Sequence, residues 1–82
     1  MRGFDVNRFV QERGPDWTRL EASLAQIEQA GLKGLKLSEA RSFARLYRRV
    51  SSDLVQARAA QLNATMLDYL NDIVARAYAI MH

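Results

Sequence analysis

Four arginines, Arg41, Arg45, Arg48 and Arg49, recur at spacings of four, three and one in the middle of the chain. On a helix, at about 100° per residue, they fall within about a third of the circumference, opposite an apolar stripe of Phe43, Leu46, Val50 and Leu54. Guanidinium groups massed on one side can pair with an acidic partner or an anionic membrane, where each basic side chain near the surface adds about 1 kcal/mol of attraction. They can equally form a solvated face, neutralised by Glu39, Asp53 or acids of a neighbouring helix. Both readings stand at this level. Nucleic acid is the weaker partner. No aromatics interleave with the arginines to stack on bases, the formal net charge is only +3, and no recognition-helix motif is present.

A second group of polar residues, Asp53, Arg58, Asn71 and Arg76, lies on or beside apolar faces. A carboxylate–guanidinium pair or an amide between helices fixes register at some expense of stability, and a structural role is the reading for these. Asp68 and Asp72 stand one turn apart but lack a third ligand and a loop of alternating oxygen donors, so they do not make a calcium site. The chain has no cysteine and its one histidine is His82, which removes thiolate zinc sites, cysteine nucleophiles and histidine-based triads. The Gly31-Leu32-Lys33-Gly34-Leu35-Lys36-Leu37 segment has neither the spacing nor the strand of a phosphate-binding loop. Met1, Met66 and Met81 are too scattered to form a methionine-rich groove. No cofactor, no metal and no catalytic residue is expected. Small all-helical chorismate mutases invite a comparison on size and arginine content, but their chemistry needs cations converging in a buried pocket, and these arginines point away from the apolar stripe.

The 82 residues are 49% hydrophobic and 26% charged, the balance of one small globular domain spanning 1–82. No stretch alternates in the period-2 manner of a strand. The pattern predicts an all-α fold, a small antiparallel up-down-up bundle of three long helices plus a short N-terminal helix. The short helix starts at an Asp5 cap and stops at Gly14-Pro15, closing one end as a lid. The second carries Trp17, Leu20, Leu24 and Ile27 on one face and ends at Gly31. A compact loop whose leucines fold back onto the core leads to a third helix, capped by Ser38, with Glu39 in its first turn and a stripe through Phe43, Leu46, Tyr47, Val50, Leu54 and Ala57. Its pattern fades at Gln61-Leu62-Asn63. Thr65 and Asp68 then read as a capping box opening a fourth helix, with Leu67, Leu70, Val74, Ala77 and Met81 on one face, widened by Ile73 and Ile80.

Met1 to Val10 lack the apolar core of a signal peptide, and the longest apolar runs fall far short of the roughly 20 residues of a membrane span. The apolar pattern running up to His82, with no polar tail or capping glycine after it, gives the expectation of a fragment of a longer protein.

Several runs carry a resemblance: Ala44-Arg45-Leu46-Tyr47-Arg48-Arg49-Val50-Ser51-Ser52-Asp53-Leu54, then Ala57-Arg58, then Tyr69-Leu70-Asn71-Asp72-Ile73-Val74-Ala75-Arg76-Ala77-Tyr78. With Phe9-Val10, Pro15-Asp16-Trp17, Leu20-Glu21 and the Gly31–Leu35 loop ahead of them, they resemble the amino-terminal region of bacterial stage II sporulation protein M-like membrane proteins over essentially the whole chain. The resemblance implies a cytosolic helical module that precedes several transmembrane helices, on the cytoplasmic side of the bacterial inner membrane. It implies partners in a membrane-associated assembly, with MoxR-type AAA+ ATPases, a von Willebrand-like domain protein and an RDD-type membrane protein among the family's gene neighbours. The motif positions carried over are Tyr47, Arg48, Asp53, Arg58, Asn71 and Arg76, none with a catalytic role, and Tyr78 stands where a histidine is frequent in the family. The expected function is therefore a non-catalytic interaction module that engages protein partners or the inner-leaflet surface. The alternative is a free-standing helical interaction protein, dimeric through the wide apolar face of its last helix.

Overall fold

A computed structural model of the chain describes residues 3–82. Three helices account for nearly all of it: α1 (Val6–Ala30), α2 (Leu37–Ala59) and α3 (Ala64–Met81), with no strand among the described residues. The all-α expectation is met, but with three helices in place of three long ones and a short one. Gly14 and Pro15 do not end a helix; α1 runs through them. Proline removes an N–H, leaving the Gln11 carbonyl without its intrahelical donor. Gln11 is exposed, so water can serve that carbonyl. Phe9 and Trp17, two turns apart on one face with ring centroids 5.4 Å apart, hold the segments on either side of Pro15 together. The expected lid is simply the first turns of α1.

The ends of the helices follow local hydrogen-bond chemistry. Asp5 caps α1 as expected, its carboxylate accepting from the Arg8 N–H at 3.1 Å. Gly31, at φ 81°, ends α1 and returns its N–H to the Ile27 carbonyl. Of the loop leucines only Leu35 packs against the core; Leu32 and Leu37 are 54% and 67% exposed, against the expectation that all fold back. The cap of α2 is Lys36, not Ser38, because the backbone turns helical at Leu37 and the Glu39 carboxylate accepts the Lys36 N–H at 2.9 Å. The cap of α3 is Asn63, not Thr65: its side-chain oxygen accepts from the Met66 N–H at 2.9 Å, the same three-residue reach begun two residues earlier.

Between α2 and α3 the chain makes a Schellman turn. Leu62 N–H bonds the Ala57 carbonyl and Gln61 N–H bonds the Arg58 carbonyl, which places Gln61 at φ 56°, in the left-handed region. A side chain there costs about 1 kcal/mol, so Gln61→Gly is expected to raise unfolding free energy by about 0.5–1 kcal/mol in a urea titration. A decrease would show that the Gln61 side chain stabilises the turn.

The core runs along the shared axis: Phe9, Trp17, Leu20, Leu24 and Ile27 from α1, Phe43, Val50, Leu54 and Ala57 from α2, Leu70, Ile73 and Ala77 from α3. On α3 the buried line is Leu70–Ile73–Ala77, with Leu67, Val74 and Ile80 packed beside it and Met81 exposed, so the buried centre is turned about 50° from the expected one, toward Ile73. Cross-helix pairs fix the register. Arg13 meets Asp53 and Asp16 meets Arg49 between α1 and α2; Glu21 meets Tyr69 and Glu28 meets Arg76 between α1 and α3. The molecule is a rod of 49 × 21 × 17 Å.

Candidate functional site

Two buried carboxylates sit where α1 crosses α2. Asp53 is 4% exposed and Asp16 5%, which would be prohibitive without partners. Asp53 is fully engaged: the Trp17 indole N–H donates to one oxygen at 2.8 Å and the Arg13 Nε–H to the other at 2.9 Å. Arg13 also reaches Asp16 at 2.8 Å, bridging the two acids. Asp16 further accepts from Arg19 at 3.0 Å and pairs with Arg49 at 3.2 Å. Trp17 continues outward as an aromatic column, with Phe9 on one side and the Tyr69 ring 6.4 Å away on the other.

Electrostatics follow from this packing. Burial pushes the Asp16 pKa up, but the hydrogen bond from Arg13, the charges of Arg13 and Arg49, and the hydrogen bond from Arg19 outweigh it, and the carboxyl titrates below its ordinary value. The Asp53 hydrogen bond raises the Arg13 pKa against the opposing effect of burial, with Asp16 adding to the rise. A depressed carboxyl pKa adds stability that is fully present above the unfolded value of about 3.9 and is lost as pH falls through the folded value. The wild-type chain is therefore expected to lose stability below about pH 4, and Asp16→Asn to flatten that acid limb in pH-dependent thermal melts. An unchanged acid limb would remove Asp16 from the account.

The other singled-out residues fall into two groups. Bridging pairs tie α3 to its neighbours. Arg58 donates to Asn71 at 2.9 Å, and Arg76 holds Glu28 at 2.6 Å and Asp72 at 3.1 Å. Nearby, the Tyr69 hydroxyl donates to Glu21 at 2.8 Å, and burial together with that carboxylate pushes its pKa up to about 12. Tyr47 is half-buried against the core, its carbonyl accepting from Ser51.

The arginine face divides. Arg49 turns toward Asp16 and joins the buried network, so the four arginines do not act as one set. Arg41, Arg45 and Arg48 are exposed and make no side-chain hydrogen bond or ion pair among the described residues. Every other described arginine, Arg8, Arg13, Arg19, Arg49, Arg58 and Arg76, is bonded to a side chain. The three that are not stand at i, i+4 and i+7 on one ridge of α2. The cations that do converge, Arg13, Arg19 and Arg49, converge on Asp16 and Asp53, each arginine paired with at least one of the two acids. Among the described residues no group of three or more His, Cys, Asp or Glu could hold a metal ion.

Arg13 and Asp16 escaped the sequence reading. Their one visible signal was Phe9, Arg13, Asp16 and Trp17 continuing a helical face across the proline.

These features define a three-helix, all-α domain with an internally paired acid–arginine network and an unpaired arginine ridge. A family model described as "Domain of unknown function (DUF8413)" matches residues 7–82, and the chain belongs to that family. No curated protein and no solved structure matches it.

Proposed function

We propose that the chain is a non-catalytic interaction module that presents Arg41, Arg45 and Arg48 to an anionic partner surface. One observation carries this reading: the only described arginines without a side-chain partner are three consecutive members of one exposed helical ridge. The other described guanidiniums each hold a side-chain partner, and a ridge left unpaired has its attraction available for another molecule. The up-down-up antiparallel arrangement, which the cross-helix pairings support, keeps α2 with one whole side toward solvent. No helix is long and apolar enough to cross a membrane among the described residues. The resemblance to stage II sporulation protein M-like proteins favours a module on the cytoplasmic side of a bacterial inner membrane, with protein partners such as a MoxR-type ATPase system or the lipid headgroups within reach of the ridge.

The test is fractionation of tagged wild-type chain and an Arg45→Glu/Arg48→Glu variant in the source cells, with membranes and cross-linked partners recovered at low and high salt. Retention of the wild type alone, released by salt, is expected. Indistinguishable behaviour of the two at low salt would sink the reading. Tyr78 and Met81, 55% and 38% exposed near the end of α3, favour a second reading as a dimer through that helix. Light scattering at high concentration separates it: a monomer removes the dimer.

A further inference from the structure

The geometry points to the partner of this ridge being an acidic α-helix of another protein, lying along α2. The inference rests on the reading of Arg41, Arg45 and Arg48 as a binding surface, and narrows it. At about 1.5 Å per residue the three guanidiniums rise along the axis at 0, about 6 and about 10.5 Å, and at about 100° per residue they spread over only about a sixth of the circumference. A second helix carrying carboxylates at i, i+4 and i+7 has the same rises, and each arginine fork donates to one carboxylate. Leu37 and Val55, 67% and 64% exposed, stand on the same ridge about five turns apart, one beyond each end of the arginine set. Their placement asks for a straight, rigid occupant with an apolar residue toward each end. Between them Ala44 and Ser52 are small, leaving room for a partner backbone at helix-packing distance.

A lipid surface fits less well. An interfacial helix buries a continuous apolar stripe and keeps its basic residues at the margins. Here the arginines occupy the centre of the ridge and the two large apolar side chains its ends. The rest of α2 supplies no competing anion: Asp53 is buried on Trp17 and Arg13, and Glu39 caps the Lys36 N–H.

The experiment uses the 82-residue chain and three probes. One is an alanine-rich helical peptide with Glu at i, i+4 and i+7. The second is its isomer of identical composition with the three Glu spread around the helix. The third is vesicles of phosphatidylcholine with one-third phosphatidylserine. Binding is read by calorimetry or anisotropy at 50 and 300 mM salt, with circular dichroism as a check that the variants fold.

The expected result is at least about fivefold tighter binding of the aligned peptide than of its isomer, and about tenfold weaker binding by Arg41→Glu/Arg48→Glu. A charge-preserving Arg41→Lys/Arg45→Lys/Arg48→Lys variant is expected to lose part of the preference for the aligned peptide, because lysine lacks the fork. Equal binding of the two peptides overturns the helical-partner inference while leaving the ridge as a general anion-binding surface. Vesicle binding stronger than peptide binding and abolished by charge reversal does the same and assigns the ridge to lipid. Self-association of the wild type that charge reversal removes overturns it in favour of a second copy. Failure of every probe overturns both this inference and the broader reading.

Discussion

Asp53→Ala is expected to remove about 3–5 kcal/mol of stability, because it strands the Trp17 indole N–H inside the core and takes from Arg13 one of its two acids. For a chain of 82 residues, with a total of about 4–12 kcal/mol at about 0.05–0.15 kcal/mol per residue, that is enough to unfold a large fraction of molecules at room temperature. Asp53→Asn should fall between the variant and the wild type. Its one carbonyl oxygen can accept from either the indole or the guanidinium, while its amide N–H group confronts the other donor. Urea titration followed by circular dichroism measures all three chains. A loss below about 1 kcal/mol for Asp53→Ala would mean that the network adds almost nothing beyond what packing supplies.

The second large effect has the opposite sign. Pro15 sits ten residues into α1, where a proline costs about 3 kcal/mol relative to alanine. Pro15→Ala restores an N–H for the Gln11 carbonyl, and the expected gain is about 2–3 kcal/mol. Gly14→Ala adds about 1 kcal/mol, since a Cβ at Gly14 meets nothing within 4 Å. Together the two are expected to raise the melting temperature by at least about 10 °C, at about 4–8 °C per kcal/mol for a domain of this size. A double variant no more stable than wild type would mean that the backbone path set by this pair is needed for the Phe9–Trp17 contact.

That pair also marks the limit of what could be read from the chain. Gly followed by Pro is an ordinary helix stop, and a local reading ends a helix there. What overrides it is not local: the apolar face through Phe9, Trp17, Leu20 and Leu24 is continuous, and burying it in one piece outweighs one missing hydrogen bond. Asp5, Gly31 and the stripe on α2 were legible because each rests on contacts within a few residues. At the start of α3 a local reading takes Thr65 as the cap, and the Schellman turn through Gln61 starts the helix two residues earlier, at Asn63.

The candidate site divides along the same line. Exposure of Arg41, Arg45 and Arg48 follows from helical periodicity alone. The diversion of Arg49 to Asp16, and the meeting of Asp53 with Trp17 and Arg13, depend on the level at which α1 crosses α2, with partners 33 to 40 residues apart in sequence. No spacing rule within a single helix contains that information. Asp53 could be recognised as a polar residue beside an apolar face, but its partners Arg13 and Trp17 stand on either side of Pro15, in what a local reading makes two separate helices.

Trp17 is the only tryptophan in the chain, its N–H rests on a carboxylate of α2, and its ring abuts that of Tyr69 on α3. The single tryptophan therefore stands at the junction of all three helices. Its emission wavelength will report whether the α1–α2 crossing is closed. The share of tyrosine-to-tryptophan energy transfer that Tyr69→Phe removes will report separately whether α3 is still docked, so an optical experiment on the unlabelled protein can tell a molecule that opens one helix at a time from one that opens all at once.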